Sequence, residues 1–351
     1  MESNVTDQAA TVEQDQTKLD DRQLDDRPGV LLIALGTPAT LTKKGIRAFL
    51  QEFLADRRVV ELPAFLWLPI LYGPISIFRP AKTLEAYKEV WDQERDLSPL
   101  HVITEAQTAA IAEALGDSAH VEWAFTYGNP SIADQIHALQ ARGCNRIVTI
   151  PLYPQYSATT TAAATDRVFK TLEKMRDTPA IRTVRSWHTH PLYIKALAQS
   201  AETSLGALDW QPEKIMTSYH GIPKRCYMKG DPYPDESHET TALLIKEMGR
   251  PASDFETAFQ SRFGAEEWMK PYSINRVKEL AEAGIKRLAV MAPAFLADCL
   301  ETIEELNLEL RDAFLKSGGT HFHYIPCLNA DEPGMKALEA VVRENLAGWI
   351  D

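Results

Sequence analysis

Short apolar runs alternate with longer amphipathic stretches along most of this chain, and that alternation restricts the fold more than any other feature. Runs of this length, separated by helical patterns, are typical of βα units in a parallel sheet. Helical patterns such as Ile46–Leu54 and Asp298–Leu315 lie between the runs. The clearest runs are Val30–Leu35, Val121–Thr126, Arg146–Ile150, Lys214–Tyr219, Glu256–Gln260, Arg287–Ala292 and His321–Ile325.

The same features recur in the same order in the two halves. "IALGTP", which contains Gly36, is echoed by "SYHGIP", which contains Gly221, and each motif ends an apolar run. "GCNRIVTIPLY" is echoed by "GIKRLAVMAPAF", and both place Gly-x-x-Arg before a strand. Duplication of an α/β unit explains this order. We therefore expect an α/β protein with two similar Rossmann-like lobes, each a parallel β-sheet flanked by helices, and a cleft between them.

The repeat and the composition suggest domain limits. We expect an N-terminal lobe over residues 29–185, a C-terminal lobe over 186–330, and a final helix within 331–351 that packs back on the first lobe. Residues 1–28 are rich in Asp and Glu and contain no aromatic side chain. They cannot bury enough apolar surface to offset the entropy lost on ordering, so they predict a disordered acidic tail.

One uncharged segment, residues 62–78, tests whether the chain enters a membrane. Its sequence, "LPAFLWLPILYGPISIF", is interrupted by three prolines and a glycine. A helix that spans a bilayer needs about 20 mostly apolar residues, so this segment does not span. Two interpretations remain open: a buried connection, or an exposed apolar lip that contacts a flat apolar ligand or a membrane surface. We call residues 62–78 the apolar lip.

Composition excludes several classes of function. The formal net charge of -12 argues against a general nucleic-acid binder, which normally carries a basic face. No Gly-x-Gly-x-x-Gly or P-loop pattern follows a strand, which argues against kinases and dehydrogenases. The cysteines lie far apart without a Cys-x-x-Cys pair, which favours a reducing cytosol over a zinc knuckle or a local iron–sulfur site. They are Cys144, Cys226, Cys299 and Cys327.

His220, in "SYHGIPKR", is the first candidate for chemistry. It lies where a predicted strand ends, and ligands of open α/β sheets bind outside the carboxyl ends of the strands. We therefore expect His220 to face the cleft with Leu35, Tyr127, and the segments 153–157 and 295–301. An imidazole takes and releases protons near neutral pH. The alternative is a purely structural histidine that is bonded to a neighbouring carbonyl.

The second candidate is the acidic helix in "DCLETIEELNLEL". Glu301, Glu305 and Glu309 recur every four residues, and such a row entering a cleft would attract a divalent cation or relay protons. The row would drift about 40° per step on a regular α-helix, so a π-bulge would help to align it. Alternatively, Asp298 caps the helix, Glu301 closes a capping box, and the remaining carboxylates form a solvated face.

Several segments, taken in order, resemble the ferrochelatases, which insert ferrous iron into a porphyrin in the last step of haem synthesis. They are "VLLIALGTP", "FLADRRVVELP", "YGNPS", "PLYPQYSATTT", "SYHGIPKR", "KGDPYP", "TAFQSRFGAEEWMKPY", "FLADCLETIEEL" and "YIPCLNAD". The resemblance implies a chelatase-like fold of two Rossmann-like lobes. It also implies insertion of Fe²⁺ into protoporphyrin IX to form protohaem, with release of two protons.

The resemblance also implies roles for residues. His220 would sit at the porphyrin centre, and Glu301 would face it across the macrocycle, so both are the expected catalytic and metal-binding residues. Glu305 and Glu309 would continue the proton or metal path along a helix that is a π-helix in the family. The implied porphyrin-binding residues are Leu35, Arg79, Tyr87, Ser98, Tyr127, Gln260, Ser261, Trp268 and Phe295, of which Arg79, Tyr87 and Ser98 fall in the segment that holds the propionates.

Substrates and partners follow from the same resemblance. Fe²⁺ is expected as a substrate and protoporphyrin IX as the acceptor, in a cytoplasmic protein with peripheral contact to the inner membrane or handover from protoporphyrinogen oxidase. No [2Fe–2S] cluster is expected, because no cysteine-bearing extension follows "YIPCLNAD". Two positions depart from the family pattern: Cys299 replaces a histidine, and Thr126 replaces an arginine, that many relatives have.

Other functions remain open from the sequence. One is a cobalt chelatase of the same fold that acts on another tetrapyrrole, and another is a coproporphyrin III ferrochelatase. A third is a two-lobed ligand carrier similar to periplasmic binding proteins, which would favour an export signal, whereas residues 1–28 lack its basic start and apolar block. The "SYHGIPKR" and "DCLET" segments are closer to Gram-negative ferrochelatases, which favours protoporphyrin IX.

Overall fold

The structure is a computed structural model that describes residues 26–350. It contains two four-stranded parallel sheets with the orders β2-β1-β3-β4 and β6-β5-β7-β8. The strands are β1 (Gly29–Gly36), β2 (His120–Tyr127), β3 (Arg146–Pro151), β4 (Ala180–Thr183), β5 (Lys214–His220), β6 (Phe255–Gln260), β7 (Arg287–Met291) and β8 (His321–Tyr324). The second sheet repeats the order of the first, which confirms the predicted pair of Rossmann-like lobes. The predicted acidic tail lies outside the described residues, apart from its last three positions.

Helices flank both sheets. They are α1 (Lys43–Leu54), α2 (Ala64–Ile70), α3 (Ser76–Val90), α4 (Pro99–Leu115), α5 (Ile132–Ala141), α6 (Ala163–Leu172), α7 (Pro191–Gly206), α8 (Lys224–Met228), α9 (Tyr233–Met248), α10 (Ser273–Glu282), α11 (Leu300–Thr302), α12 (Arg311–Lys316) and α13 (Glu332–Leu346). The π-helical segments are Leu71–Ile75, Ala158–Ala162 and Ile303–Leu310, and single 3₁₀ turns occupy Gly116–Ser118 and Ala252–Asp254. The predicted helix at 298–315 is therefore α11, a π segment and α12 in succession.

The two echoed glycines occupy equivalent places in the lobes. A Cβ atom on Gly36 would lie 1.8 Å from the carbonyl oxygen of Tyr127, and one on Gly221 would lie 2.8 Å from that of Gln260. In each lobe the chain therefore leaves the central strand in close contact with the end of the neighbouring strand. Only a residue without a side chain permits this approach, which explains the glycine in both motifs.

One apolar core includes residues of both sheets. Val30 of β1, Ile215 of β5 and Ala289 of β7 belong to the same buried cluster, together with Leu338 of α13. The helix α13 packs against α4, α7 and β3. The predicted limits near residues 185 and 330 fall in the connections before α7 and before α13. Whether these limits bound independent domains stays a prediction.

The apolar lip consists of α2, the first π segment and the start of α3. Its inner side is packed: Trp67 and Leu71 are buried, and Trp67 Nε1 donates a hydrogen bond to the Leu54 carbonyl at 2.6 Å. Its outer side exposes Leu62, Phe65, Leu66, Ile70, Tyr72, Ile77 and Phe78. The interpretation as a buried connection is therefore wrong for the outer side. Within residues 26–350, every helix is too short or too polar to cross a bilayer.

Candidate active site

A cavity of about 520 Å³ opens at the carboxyl ends of the two sheets. Its lining comes from the segments that follow β1, β3, β5, β6 and β7, and from α1, α3 and α4. This is the place where parallel α/β sheets bind ligands. Of the predicted site residues, His220, Glu301, Glu305, Glu309, Leu35, Arg79, Tyr87, Ser98, Ser261, Trp268 and Phe295 line it.

Tyr127 lies behind the cavity wall rather than on it. Its side chain is fully buried and packs edge-on against Phe53 with ring centres 5.1 Å apart. Its hydroxyl donates to Asp56 Oδ2 at 3.1 Å, and the Arg167 guanidinium stacks on the ring at 4.6 Å. A buried phenol needs a polar partner, and this partner lies away from the cavity. The structure therefore does not bring Tyr127 to the predicted porphyrin site.

Gln260 also departs from its predicted contact. It is 4% exposed at the end of β6 and does not line the cavity. Its amide is occupied on both sides, by the Ser218 hydroxyl and by oxygens of Glu301 and Glu305. Those partners are distant in the chain, so the sequence gives no sign of them.

The imidazole of His220 has a defined tautomer. Its Nδ1 lies 2.7 Å from the Gly221 carbonyl oxygen, which only accepts hydrogen bonds, so Nδ1 carries the proton. In the neutral ring, Nε2 is then the free base. The structural alternative for His220, a bond to a neighbouring carbonyl, is thus present. His220 nevertheless lines the cavity, with its ring centre 6.3 Å from that of Trp268.

The start of the acidic helix uses different capping residues from those predicted. The Cys299 N–H donates to Thr302 Oγ1 at 2.9 Å, and these two residues form the capping box. Asp298 is buried and accepts hydrogen bonds from Thr302 and from the Tyr324 hydroxyl. The proposed capping box of Asp298 with Glu301 is therefore wrong, and the Glu301 carboxylate is not consumed by the cap.

A π-helix carries the row of carboxylates. The segment Ile303–Leu310 is π-helical, and Glu301, Glu305 and Glu309 all line the cavity. Glu301 precedes this segment, in α11, whereas Glu305 and Glu309 lie within it. The expected π-helical segment is present, and the alignment of the acidic row by it stays a prediction.

Glu305 is held firmly within that row. Its two oxygens accept from the Ser261 N–H and the Ser261 hydroxyl, both at 2.6 Å. Burial raises the pKa of Glu305, while the hydrogen bonds from Ser261 and the nearby His220 oppose the shift. Ser261 adopts a left-handed backbone, with φ of 63°. Glu305 is thus an anchored carboxylate close to both His220 and Glu301.

The structure adds two groups that the sequence analysis missed, Glu304 and Lys82, and it places Tyr153 of the expected segment 153–157 beside them in the cavity lining. Glu304 lines the cavity, and burial, followed by the charge of Glu309, raises its pKa. Lys82 of α3 lines the same cavity and opposes that shift. Burial raises the pKa of Tyr153 above its usual range, and the nearby Cys299 and Glu301 add to the effect.

An electropositive region lies in the part of the cavity that α3 and α4 line. The Arg79 guanidinium stacks on Phe263 at 4.2 Å, and burial lowers its pKa, with no carboxylate among its neighbours in the described chain. Ser98 is the N-cap of α4, where its hydroxyl oxygen accepts from the His101 N–H at 3.2 Å. An unpaired cation and the N-terminus of a long helix both favour an anion.

No group of three or more His, Cys, Asp or Glu side chains between residues 26 and 350 is arranged to hold a metal ion. His220 and the acidic row are placed around the cavity rather than around one preformed centre. Imidazole and carboxylate groups can bind a divalent cation in transit, while the opposite lining suits a carboxylate-bearing apolar ligand.

Two parallel-sheet lobes around a cavity with an imidazole and an acidic π-helix define a chelatase-fold protein. SirB from Bacillus subtilis, solved with Fe³⁺, superposes with a TM-score of 0.57 and 11% identity over 92% of this chain and 96% of that one. The sirohydrochlorin chelatase SirB from Bacillus subtilis subspecies spizizenii, in complex with cobalt, superposes with a TM-score of 0.52 and 10% identity, again over 92% of this chain and 96% of that one. At this identity the likeness supports the fold alone.

Sequence comparison identifies the family. The family model described as ferrochelatase matches residues 27–346. A ferrochelatase of Mesorhizobium japonicum is 48% identical over 324 residues, and one of Brucella ovis is 49% identical, each covering 92% of both chains. The chain belongs to the ferrochelatase family. It is a metal chelatase of haem synthesis with Fe²⁺ as a substrate, and the cobalt-chelatase alternative is not favoured.

Proposed function

We propose that this chain inserts Fe²⁺ into protoporphyrin IX with His220 and Glu301 as its catalytic and metal-binding residues. The observation that carries the proposal is that these two side chains, one at the end of β5 and the other on α11, line one cavity although they are distant in sequence. The apolar residues Leu35, Trp268 and Phe295 line the same space and suit a flat macrocycle.

His220 is the proposed base that removes a pyrrole proton from the porphyrin. Metallation breaks two pyrrole N–H bonds, and each nitrogen then binds Fe²⁺ through its freed electron pair. Nε2 of His220 accepts one pyrrole proton because Nδ1–H is committed to Gly221, and the second proton passes to the carboxylates of the acidic row. A planar macrocycle directs its nitrogen lone pairs into the ring, so the pocket distorts it, at a cost of about 1–5 kcal/mol drawn from remote binding contacts.

The acidic row handles the cation and the released protons. Glu301 stabilises Fe²⁺ on its way to the ring, Glu305 is anchored behind it, and Glu309 is exposed at the outer end. Oxygen ligands hold Fe²⁺ without the tight grip of a thiolate. Burial raises the pKa of Cys299 well above its usual range, and the charge of Glu301 adds to the shift, which favours the neutral thiol beside Glu301.

The electropositive region binds the propionates. Arg79 supplies an unpaired guanidinium, Ser98 lies at the N-terminus of α4, and the Tyr87 phenol stays protonated because burial raises its pKa. Each of these groups offers a propionate carboxylate either a hydrogen-bond donor or a positive charge. Ser261 also lines the cavity, where its side chain is engaged with Glu305.

The apolar lip is the proposed contact with a membrane surface in a cytoplasmic protein, where protoporphyrin IX would arrive from the bilayer or from protoporphyrinogen oxidase. Phe65 and Phe78 are 76% and 75% exposed. The nearby cations Arg225 and Lys229 are both paired with Glu61, at 2.5 and 2.7 Å, so the exposed apolar side chains are what supports this contact. Exposed aromatic and aliphatic side chains on one face of a helix are typical of peripheral membrane binding.

We also propose that the reaction needs no [2Fe–2S] cluster. Cys226, Cys299 and Cys327 are buried thiols outside any disulfide, and none of the four cysteines lies within a Cys-x-x-Cys pair. Buried reduced thiols agree with the proposed cytoplasmic location. Iron and inorganic sulfide analysis of the purified enzyme, beside its metallation rate, tests this directly; a cluster required for activity would overturn it.

The function is tested by anaerobic incubation with Fe²⁺ and each of three tetrapyrroles. We expect the Soret band to shift to that of the metallated product with protoporphyrin IX, and to change much more slowly with coproporphyrin III or sirohydrochlorin. Faster metallation of coproporphyrin III would reassign the substrate. Unchanged spectra with all three rings would favour a carrier.

A further inference from the structure

A buried amide connects the strand that carries His220 to the helix that carries the carboxylates. Ser218, two residues before His220 on β5, donates from its hydroxyl to Gln260 Oε1 at 2.9 Å. On the other side, Gln260 Nε2 donates to the Glu301 carbonyl oxygen at 2.7 Å and lies 3.5 Å from Glu305 Oε2.

The orientation of this amide is fixed by its neighbours. Ser218 and Ser273 are both buried, and their hydroxyls lie 2.8 Å apart, so Ser273 can donate to Ser218 while Ser218 donates to Gln260. A flipped amide would present Oε1 to the Glu301 carbonyl oxygen, which carries no proton to share. A buried acceptor left without a donor is destabilising, so Nε2 faces the acidic helix.

The amide also accounts for the irregular helix. The Glu301 carbonyl oxygen accepts from a side chain on another strand, at the point where a regular α-helix would continue its own ladder. Insertion of a side chain into the helical ladder is a known cause of bends and π-bulges. The π segment starts two residues later, at Ile303, and contains Glu305.

We propose that Gln260 is a positioning residue that sets the carboxylate row in line with His220, and that Ser218 and Ser273 hold its amide in the required orientation. Gln260 touches neither the porphyrin nor the metal in this proposal. Gln260 acts through Glu301 and Glu305. The inference therefore rests on the roles proposed for those residues and for His220.

Two variants separate this role from a merely structural one. Gln260→Met keeps the length of the side chain and removes both hydrogen bonds, and Ser218→Ala removes the hydroxyl that orients the amide. Ser237→Ala is the matched control, because Ser237 is also fully buried and its hydroxyl donates to the Tyr233 carbonyl at 2.7 Å, outside this network. For each variant, kcat and KM for Fe²⁺ are measured beside the Kd for protoporphyrin IX.

We expect Gln260→Met and Ser218→Ala to lower kcat/KM for Fe²⁺ about tenfold, equal to about 1.4 kcal/mol of lost transition-state stabilisation. The Kd for protoporphyrin IX should stay unchanged, and Ser237→Ala should match the parent enzyme. In a crystal structure of Gln260→Met, residues 303–310 should return to a regular α-helix.

The outcomes distinguish this inference from the proposed function. If the parent enzyme metallates no porphyrin, the proposed function fails. If the parent is active and both variants keep its kcat/KM for Fe²⁺, the inference fails. A weaker Kd for protoporphyrin IX with unchanged handling of Fe²⁺ also overturns it, since Gln260 would then act on the ring. If Gln260→Met does not fold, Ser218→Ala decides alone.

Discussion

At the scale of single residues, one hydrogen bond decides which nitrogen of His220 can act as a base. The Gly221 carbonyl holds the proton on Nδ1 and leaves Nε2 free in the neutral ring. Gly221 follows His220 directly because the chain approaches Gln260 too closely for any side chain. The pairing of His with Gly in "SYHGIPKR" therefore has a physical reason: the glycine permits the turn that orients the imidazole.

The charge on Arg79 gives a test of the propionate region. We expect Arg79→Met to weaken binding of protoporphyrin IX by about 1.5–3 kcal/mol, the usual contribution of a hydrogen bond to a charged group. Binding of its dimethyl ester, which lacks both carboxylates, should not change. Fluorescence titration of both ligands checks this, with the exposed Arg176→Met as control. Equal weakening for acid and ester would show that Arg79 acts through packing.

The carboxylates of the acidic row should differ in importance. We expect Glu305→Gln to lower kcat less than Glu301→Gln, because an amide at 305 can still accept from the Ser261 N–H while an amide at 301 loses its charge beside the metal. Steady-state metallation rates for the two variants compare them directly. The reverse order would indicate that cations or protons follow a different path.

Site residues could be predicted from the sequence where a position at the end of a strand was enough to place the residue in the cavity lining. The apolar runs predicted where β1 and β5 end, and Leu35 and His220 line the cavity as expected. The contacts of Tyr127 and Gln260 depend instead on Asp56 and Ser218, which are remote in the chain. Hydrogen-bond partners that are remote in the chain leave no periodic or local pattern in the sequence.

At the scale of elements, the strands with continuous apolar runs were found and the remaining one was not. β4 (Ala180–Thr183) is a short edge strand that pairs with β3 alone, and all four of its side chains are partly or largely exposed. An edge strand of four residues needs no apolar run, so periodicity cannot reveal it. The π-helix was expected only as a means of aligning the acids; the Gln260 amide, which donates to the Glu301 carbonyl just before it, lies on β6 and could not be assigned from the sequence.

The turn after β1 gives a prediction for stability. Gly36 has φ of 120°, and an added Cβ atom would meet the Tyr127 carbonyl at 1.8 Å. We expect Gly36→Ala to lower the free energy of unfolding by about 3 kcal/mol or more, because it adds a clash to a strained backbone. Gly206→Ala, in a helix with open space around it, should be neutral or stabilising. Urea unfolding measures both, and equal stability of the two variants would contradict the geometry.

The apolar lip gives a second prediction at this scale. The double variant Phe65→Ser, Phe78→Ser should reduce flotation with liposomes of anionic lipid, because it removes two exposed apolar contacts. Thermal stability should be unchanged, since both side chains point to solvent. Phe169→Ser is the matched control, because Phe169 is 52% exposed on α6, outside the lip. Equal flotation of all variants would rule out the lip as the membrane contact.

At the scale of the whole molecule, polar contacts fix the lobes to each other beside the cavity. The loop after β3 is held by α9 and the turn before it: Tyr156 N–H donates to Glu236 at 2.7 Å, and the Ser157 hydroxyl donates to Asp231 at 2.9 Å. Both carboxylates are buried. Together with the shared apolar core, these contacts favour a fixed cavity over one that opens by a large rotation of the lobes.

We therefore expect both lobes to unfold in one transition. Glu236→Ala leaves the Tyr156 N–H without a partner and should lower the free energy of unfolding by about 1–3 kcal/mol. Circular dichroism and tryptophan fluorescence should still report the same midpoint in urea. Two separate transitions, in the parent or in the variant, would show that the predicted limits near residue 185 divide independent domains.

The most direct test of the central proposal is the rate of metallation by His220→Ala, measured anaerobically with Fe²⁺ and protoporphyrin IX. We expect kcat to fall by at least about 10²-fold, the usual contribution of a general base, while the Kd for protoporphyrin IX stays close to that of the parent. His137→Ala, on the exposed face of α5, should retain full activity. A near-normal kcat in His220→Ala would contradict its assignment as the base that takes the pyrrole proton.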